Sequence, residues 1–261
     1  ATAPSTFTWT IGTITGSITG ASAGSGPVIA QSLMNPSNAT AGTVEYLVTP
    51  TSTGGGCPAL SVPFLVTVTV NPTPEITGVP LAVAICNNTA TNIPLTATAP
   101  STFAWTIGTI TGGITGATAG SGNTIAQMLT NPSNATAGTV EYLVTPTSTD
   151  GNCPAAAPYV ITVTVNPTPI IVGVPITAAI CNNTPTGIPL NASTPSTFTW
   201  TIGTITGGIT GASAGSGPTI AQTLTNPSNS TAGTVEYLVM ATSIGGSCPA
   251  ITVYTVTVMV N

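Results

Sequence analysis

The stretch Thr139-Val-Glu-Tyr-Leu-Val-Thr-Pro146 alternates strictly, with Val140, Tyr142 and Val144 falling on one face. Period-two alternation of β-branched and aromatic residues is the pattern of a strand buried on one side. A second run follows the same rule: Ile161, Val163 and Val165 point one way, and Thr162 and Thr164 the other. Working outward, short β-prone runs occupy Glu75 to Val79, Leu81 to Cys86, Ile93 to Thr98, Phe103 to Ile107 and Thr124 to Leu129. Turn residues separate them, including the pair Gly112-Gly113, which fits a tight hairpin. No stretch carries a 3.6-residue apolar period. The sequence therefore predicts an all-β fold, with about seven to nine strands in each unit.

The whole pattern occurs three times at a spacing of 95 or 96 residues. Trp9, Trp105 and Trp200 are equivalent, as are Glu45, Glu141 and Glu236, and Cys57, Cys153 and Cys248. The connector Val-Asn-Pro-Thr-Pro appears at Val70 to Pro74 and again at Val165 to Pro169. Unit boundaries are expected near 71 and 166, giving repeats over 1–71, 72–166 and 167–261. The first of these is expected to lack its opening strands. Two prolines fix the torsions of each connector and leave too little chain for free tumbling, so neighbouring units should hold a limited range of angles. Strands rising about 3.3 Å per residue suggest modules roughly 35 to 45 Å long, which in series form a rod.

Five cysteines need an account. Cys86 and Cys181 lie early in the second and third units, and Cys153 and Cys248 lie late, 67 residues further on in both cases. Even pairing within a secreted repeat predicts disulfides Cys86–Cys153 and Cys181–Cys248, with the partner of Cys57 lying before the fragment. Each would contribute roughly 4 kcal/mol in the loop-entropy treatment. The rival reading is buried free thiols. Two thiols per unit, with no His and no CxxC, lack the ligands for a metal site. Cys86, Trp105 and Cys153 also follow the order of immunoglobulin-like sandwiches, where a core Trp packs near an inter-sheet disulfide. Trp9, Trp105 and Trp200 are accordingly expected in the core.

Composition limits function sharply. The chain has no Lys, Arg or His, and five acidic residues. Without cations it cannot displace counterions from a phosphate backbone, which excludes nucleic acid as a partner. General acid–base chemistry lacks its usual groups, and no Ser or Thr has a basic partner, so no catalytic residue is expected. Glu45, Glu141 and Glu236 each stand alone in a strand, read as solvent-facing residues, and no acidic cluster suits calcium. Asp150 is explained by its turn. No cofactor is expected. Apolar residues make up 41% of the chain, enough for cores, while Gly or Pro interrupts every apolar run before it could span a bilayer as a helix. Asn38, Asn87, Asn134, Asn182, Asn191 and Asn229 satisfy the N-x-S/T pattern, a glycosylation acceptor in a eukaryotic source and mostly chance in a bacterial one, given an Asn- and Thr-rich chain.

The segments Ile161-Thr-Val-Thr-Val-Asn-Pro-Thr-Pro169, Ile85-Cys-Asn-Asn-Thr89 and Thr124-Ile-Ala-Gln-Met-Leu-Thr-Asn131 resemble the PKD-like repeats of giant surface proteins in Bacteroidota. The resemblance covers all three units. It implies tandem immunoglobulin-like, PKD-like β-sandwiches in an elongated rod, at an extracellular, cell-surface location. Among such proteins are gliding-motility adhesins of the SprB type, exported by type IX secretion and carried by the gliding machinery. The expected role is thus the stalk or filament of a long adhesin. Its expected partners are an external surface or polysaccharide, the gliding or secretion machinery and, since uncharged Thr-rich strands lack gatekeeping lysines, other copies of itself. A glycan-binding array and a non-catalytic spacer of a secreted enzyme are the alternatives.

Overall fold

The computed structural model describes residues 4–55 and 63–261, so Cys57 lies outside the described residues. The alternating stretch becomes the central strand of its repeat. Gly138–Ser148 pairs antiparallel with Ser101–Ile110 on one side and with Tyr159–Asn166 on the other. Gly120–Ser121 extends the sheet beyond the Trp strand, and Ala82–Cys86 extends it beyond Tyr159–Asn166, in parallel. The third repeat copies this order with Thr177–Ile180, Tyr254–Val260, Gly233–Ser243, Ser196–Ile205 and Gly215–Ser216. In the first repeat the sheet has four strands, Gly24–Ser25, Ser5–Ile14, Gly42–Ser52 and Phe64–Val70, and no described residue takes the parallel edge position.

Short ladders form the opposing layer. In the second repeat these are Thr89–Ala90 with Met128–Leu129, and Ile93–Pro94 with Thr124–Ile125. Between them the buried Thr91 hydroxyl donates to the Ile125 carbonyl and accepts from the Gln127 amide, carrying the hydrogen bonding across the break. The layers close on one core per repeat, where Ile93, Ile125 and Leu129 face Trp105, Tyr142 and Val163. These are tandem immunoglobulin-like β-sandwiches, as the sequence predicts. The strand expectations shorten in places: Ile93 to Thr98 keeps strand only at Ile93–Pro94, and Thr124 to Leu129 divides into Thr124–Ile125 and Met128–Leu129. Glu75 to Val79 forms a single bridge, Ile76 to Ala97, because Pro74 and Pro80 supply no amide donors and Gly78 takes a left-handed backbone with φ 65°.

Alternation along Gly138–Ser148 is complete, every second residue being buried. Trp9, Trp105 and Trp200 lie in the three cores with 6 to 7% of their surface exposed, and the Trp105 indole N–H donates to the Thr118 carbonyl at 3.1 Å. Opposite each ring the chain runs so close that only glycine fits. A Cβ on Gly120 would stand 2.8 Å from the Trp105 ring, and Gly24 and Gly215 meet Trp9 and Trp200 in the same way.

The Trp strand also carries a bulge, with its register shifting between Ile107 and Ile110. An extra residue in one strand leaves an amide without a ladder partner. Glu141 supplies the acceptor: its Oε2 takes the Thr109 N–H at 3.0 Å, and Glu45 and Glu236 take those of Thr13 and Thr204 at 3.1 Å. The carboxylate lies directly over Gly108, where a Cβ would come within 3.1 Å. The repeated glutamates are solvent-facing, as the sequence predicts, and each is also a structural acceptor.

Two outcomes follow from this packing. Gly120→Ala should destabilise the second repeat by about 1–3 kcal/mol, the usual cost of overpacking, and shift the Trp fluorescence; a wild-type urea midpoint would refute the contact. The Thr109 hydrogen bond holds the Glu141 carboxyl below its ordinary value of 4.5. A depressed carboxyl stabilises the fold above the unfolded value and loses that contribution as pH falls through the folded one. Glu141→Gln should therefore flatten the acid limb of the stability profile below about pH 4.5, as urea titrations at several pH values would register.

Candidate functional site at the repeat junctions

Chemistry-bearing side chains do not converge within any repeat: no group of three or more His, Cys, Asp or Glu occurs among the described residues. What recurs instead is a constructed joint between repeats. Its base is the loop beginning Asn131-Pro132. The buried Asn131 side chain donates both amide protons, to the Thr136 and Val165 carbonyls at 2.9 Å, and its Oδ1 accepts from the Ser133 N–H. Asn35 and Asn226 do the same in the other repeats. This welds the loop to the last residues of the final strand, at the pole from which the connector leaves.

The next repeat seats on that loop. Thr98 of the second repeat accepts the Glu75 N–H at 3.0 Å and donates its hydroxyl to the Asn38 carbonyl of the first. Ser193 of the third accepts the Ile170 N–H at 3.1 Å and donates to the Asn134 carbonyl of the second. One hydroxyl thus clamps each connector to the loop beneath it. A second contact also repeats. The connector asparagines Asn71 and Asn166 press against Gly151 and Gly246, where a Cβ would lie 2.0 and 2.3 Å from the respective Nδ2 atoms. Both glycines are left-handed, with φ of 80° and 85°, so shape and backbone select the same residue. Asn166 is 9% exposed and Thr168 6%. At the first junction a cleft of about 450 Å³ remains between Asn38, Pro74, Glu75 and Tyr159, without a cluster of reactive groups.

The cysteines belong to these joints, and here the structure corrects the sequence reading. Cys86 is bonded to Cys248 of the next repeat, 162 residues away and with a Cα–Cα distance of 5.5 Å, whereas Cys153 and Cys181 are free. Strand direction is the reason. Ala82–Cys86 runs parallel to Tyr159–Asn166, so Cys86 stands opposite Asn166 at the connector pole. Cys153 follows Gly138–Ser148, which runs antiparallel to Tyr159–Asn166, and so lies at the other pole of the same sandwich. Cys248, in the corresponding turn of the third repeat, meets the connector pole of the second. Neither within-repeat pair, Cys86–Cys153 or Cys181–Cys248, exists.

Sequence reasoning also missed the hydroxyl clamp and the asparagine-locked loop. Their signal was present in the periodic recurrence of Asn35, Asn131 and Asn226, and of Thr98 and Ser193, but an Asn-Pro pair reads locally as an ordinary turn.

None of the curated proteins matches the chain. Among solved structures, protocadherin gammaB7 EC3-6 is similar at 12% identity and a TM-score of 0.34, over 97% of this chain and 68% of that one. Drosophila N-cadherin EC1-4 gives 13% and 0.27, over 98% and 67%. The fibronectin(III)-like modules of Clostridium thermocellum CbhA give 13% and 0.30, over 72% and 93%. Scores this low carry nothing about function. The PKD-like domain matches residues 1–74, 83–169 and 178–261. With nearly its whole length covered in three tandem matches, the chain belongs to the PKD-like domain family.

Proposed function

We propose that this extracellular repeat segment is a load-bearing stalk of a cell-surface adhesin, serving attachment to external surfaces and, in the parent protein, gliding motility. The observation that carries the reading is the junction. Both joints rebuild the same hydroxyl clamp and the same Asn–Gly contact, and one is closed by a covalent bond. A repeat array that fixes the angle between its units suits transmission of force over distance. At the second junction the connector is buried from Asn166 to Pro169, which resists bending where a chain of modules is weakest. The Trp residues, enclosed in the cores, offer no exposed ring face for stacking on sugars, which counts against a glycan-binding array.

Force spectroscopy tests the mechanical reading. Tension applied at the two ends passes through the Cys86–Cys248 bond and bypasses the chain between them. Reduction should therefore release about 550 Å of additional length, from 162 residues at roughly 3.4 Å each. Equal contour lengths with and without reductant would sink it. Adhesion and gliding need the parent cell. Live imaging with an antibody against these repeats should reveal fibres that leave the envelope and travel along it, whereas label found only in the medium would favour a spacer of a secreted enzyme.

A further inference from the structure

We propose that the connector pole of the third repeat is a docking surface for the opposite pole of another repeat of this same kind, closed by a disulfide through Cys181. The inference rests on the two junctions and holds whether or not the array serves adhesion.

The surface is a copy of one already occupied twice. The connector pole of the first repeat carries the second, and that of the second carries the third, each through the carbonyl of the loop asparagine, Asn38 or Asn134. Asn229 holds that position in the third repeat, in a hollow of about 420 Å³ shared with Asn182, Ser228, Thr231 and Asn261. The framework is already formed: Asn226 locks the loop, and the Asn182 N–H donates to the Asn261 carbonyl as the Asn87 N–H does to that of Asn166. Cys181 stands where Cys86 stands in the second repeat. Covering the pole has a measurable consequence there, since Asn166 is buried and Cys86 half-buried while Asn261 and Cys181 are exposed.

The matching half-site is also present. Cys153 occupies in the second repeat the place of Cys248 in the third, in the turn beside Gly151 that receives Asn71. Early cysteine to late cysteine of the following repeat is the rule that the bonded pair follows. Bond formation removes two protons and two electrons from the paired thiols. A small extracellular disulfide such as oxidised glutathione accepts them: the Cys181 thiolate displaces one glutathione thiolate, and the partner thiolate then attacks the Cys181 sulfur and displaces the second.

The chain extended after Asn261 by a further copy of residues 167–261 tests this directly. After refolding in a glutathione redox buffer and digestion without reduction, peptide mapping should join Cys181 to the appended counterpart of Cys248 and retain Cys86–Cys248 as proof of folding. Cys181 left free while Cys86–Cys248 is intact, or Cys181 joined to a cysteine of its own repeat, would overturn the proposal. Docking is read separately in the same extended chain with serine at the appended cysteine. With only the appended counterpart of Cys248 replaced, Cys181 should be alkylated at least threefold more slowly than in the unextended chain. An unchanged rate would show that the pole stays open and that the proposed surface accepts no repeat.

Discussion

Parallel pairing of Ala82–Cys86 with Tyr159–Asn166 fixes where the covalent link of this molecule forms. An antiparallel hairpin would have returned the first strand's end to the pole where the repeat begins, next to the turn that holds Cys153. Running parallel, the strand delivers Cys86 to the far pole, beside the last residues before the connector. The cysteine then faces the next sandwich rather than its own. The connectivity of the Cys86–Cys248 bond descends from the direction of this five-residue strand.

Much of the architecture was legible because it depends on local alternation. Val140, Tyr142 and Val144 are fully buried, as their period-two spacing requires. Repeat length and the glycine turns are likewise properties of the linear string. Cysteine connectivity is not. The 67-residue interval recurs in the second and third units whether each early cysteine bonds within its repeat or to the next, so counting cannot distinguish the two. Strand direction decides, and a single edge strand carries no sequence mark of being parallel. The acceptor role of the glutamates was hidden for a related reason. Their acceptor role at the bulge depends on Thr109 losing its ladder partner, a fact of register that composition does not reveal.

The lack of cations changes how polar groups are satisfied. No buried side-chain nitrogen or oxygen among the described residues is without a hydrogen-bond partner. Side-chain amides and hydroxyls do this work. The Tyr142 hydroxyl donates to Gln127, whose amide donates in turn to Thr118, and the asparagine loop closes its own carbonyls. Neutral networks of this kind keep their strength as ionic strength varies, because screening acts on charges. The hydroxyl clamps and Asn–Gly contacts of the joints are uncharged as well, and the first joint adds one charged acceptor, the Glu75 carboxylate, which accepts a hydrogen bond from the Asn38 side-chain amide at 2.9 Å.

The bond between Cys86 and Cys248 spans nearly all of two sandwiches, and that has a bearing on damage as well as on structure. A protease acting outside a cell attacks exposed turns, such as those around Asp150 or Gly245. Any one cut between the two cysteines leaves a chain whose pieces are still covalently joined. A cut in the connector between the two repeats is covered as well, whereas bonds confined to each repeat would leave such a cut to separate them.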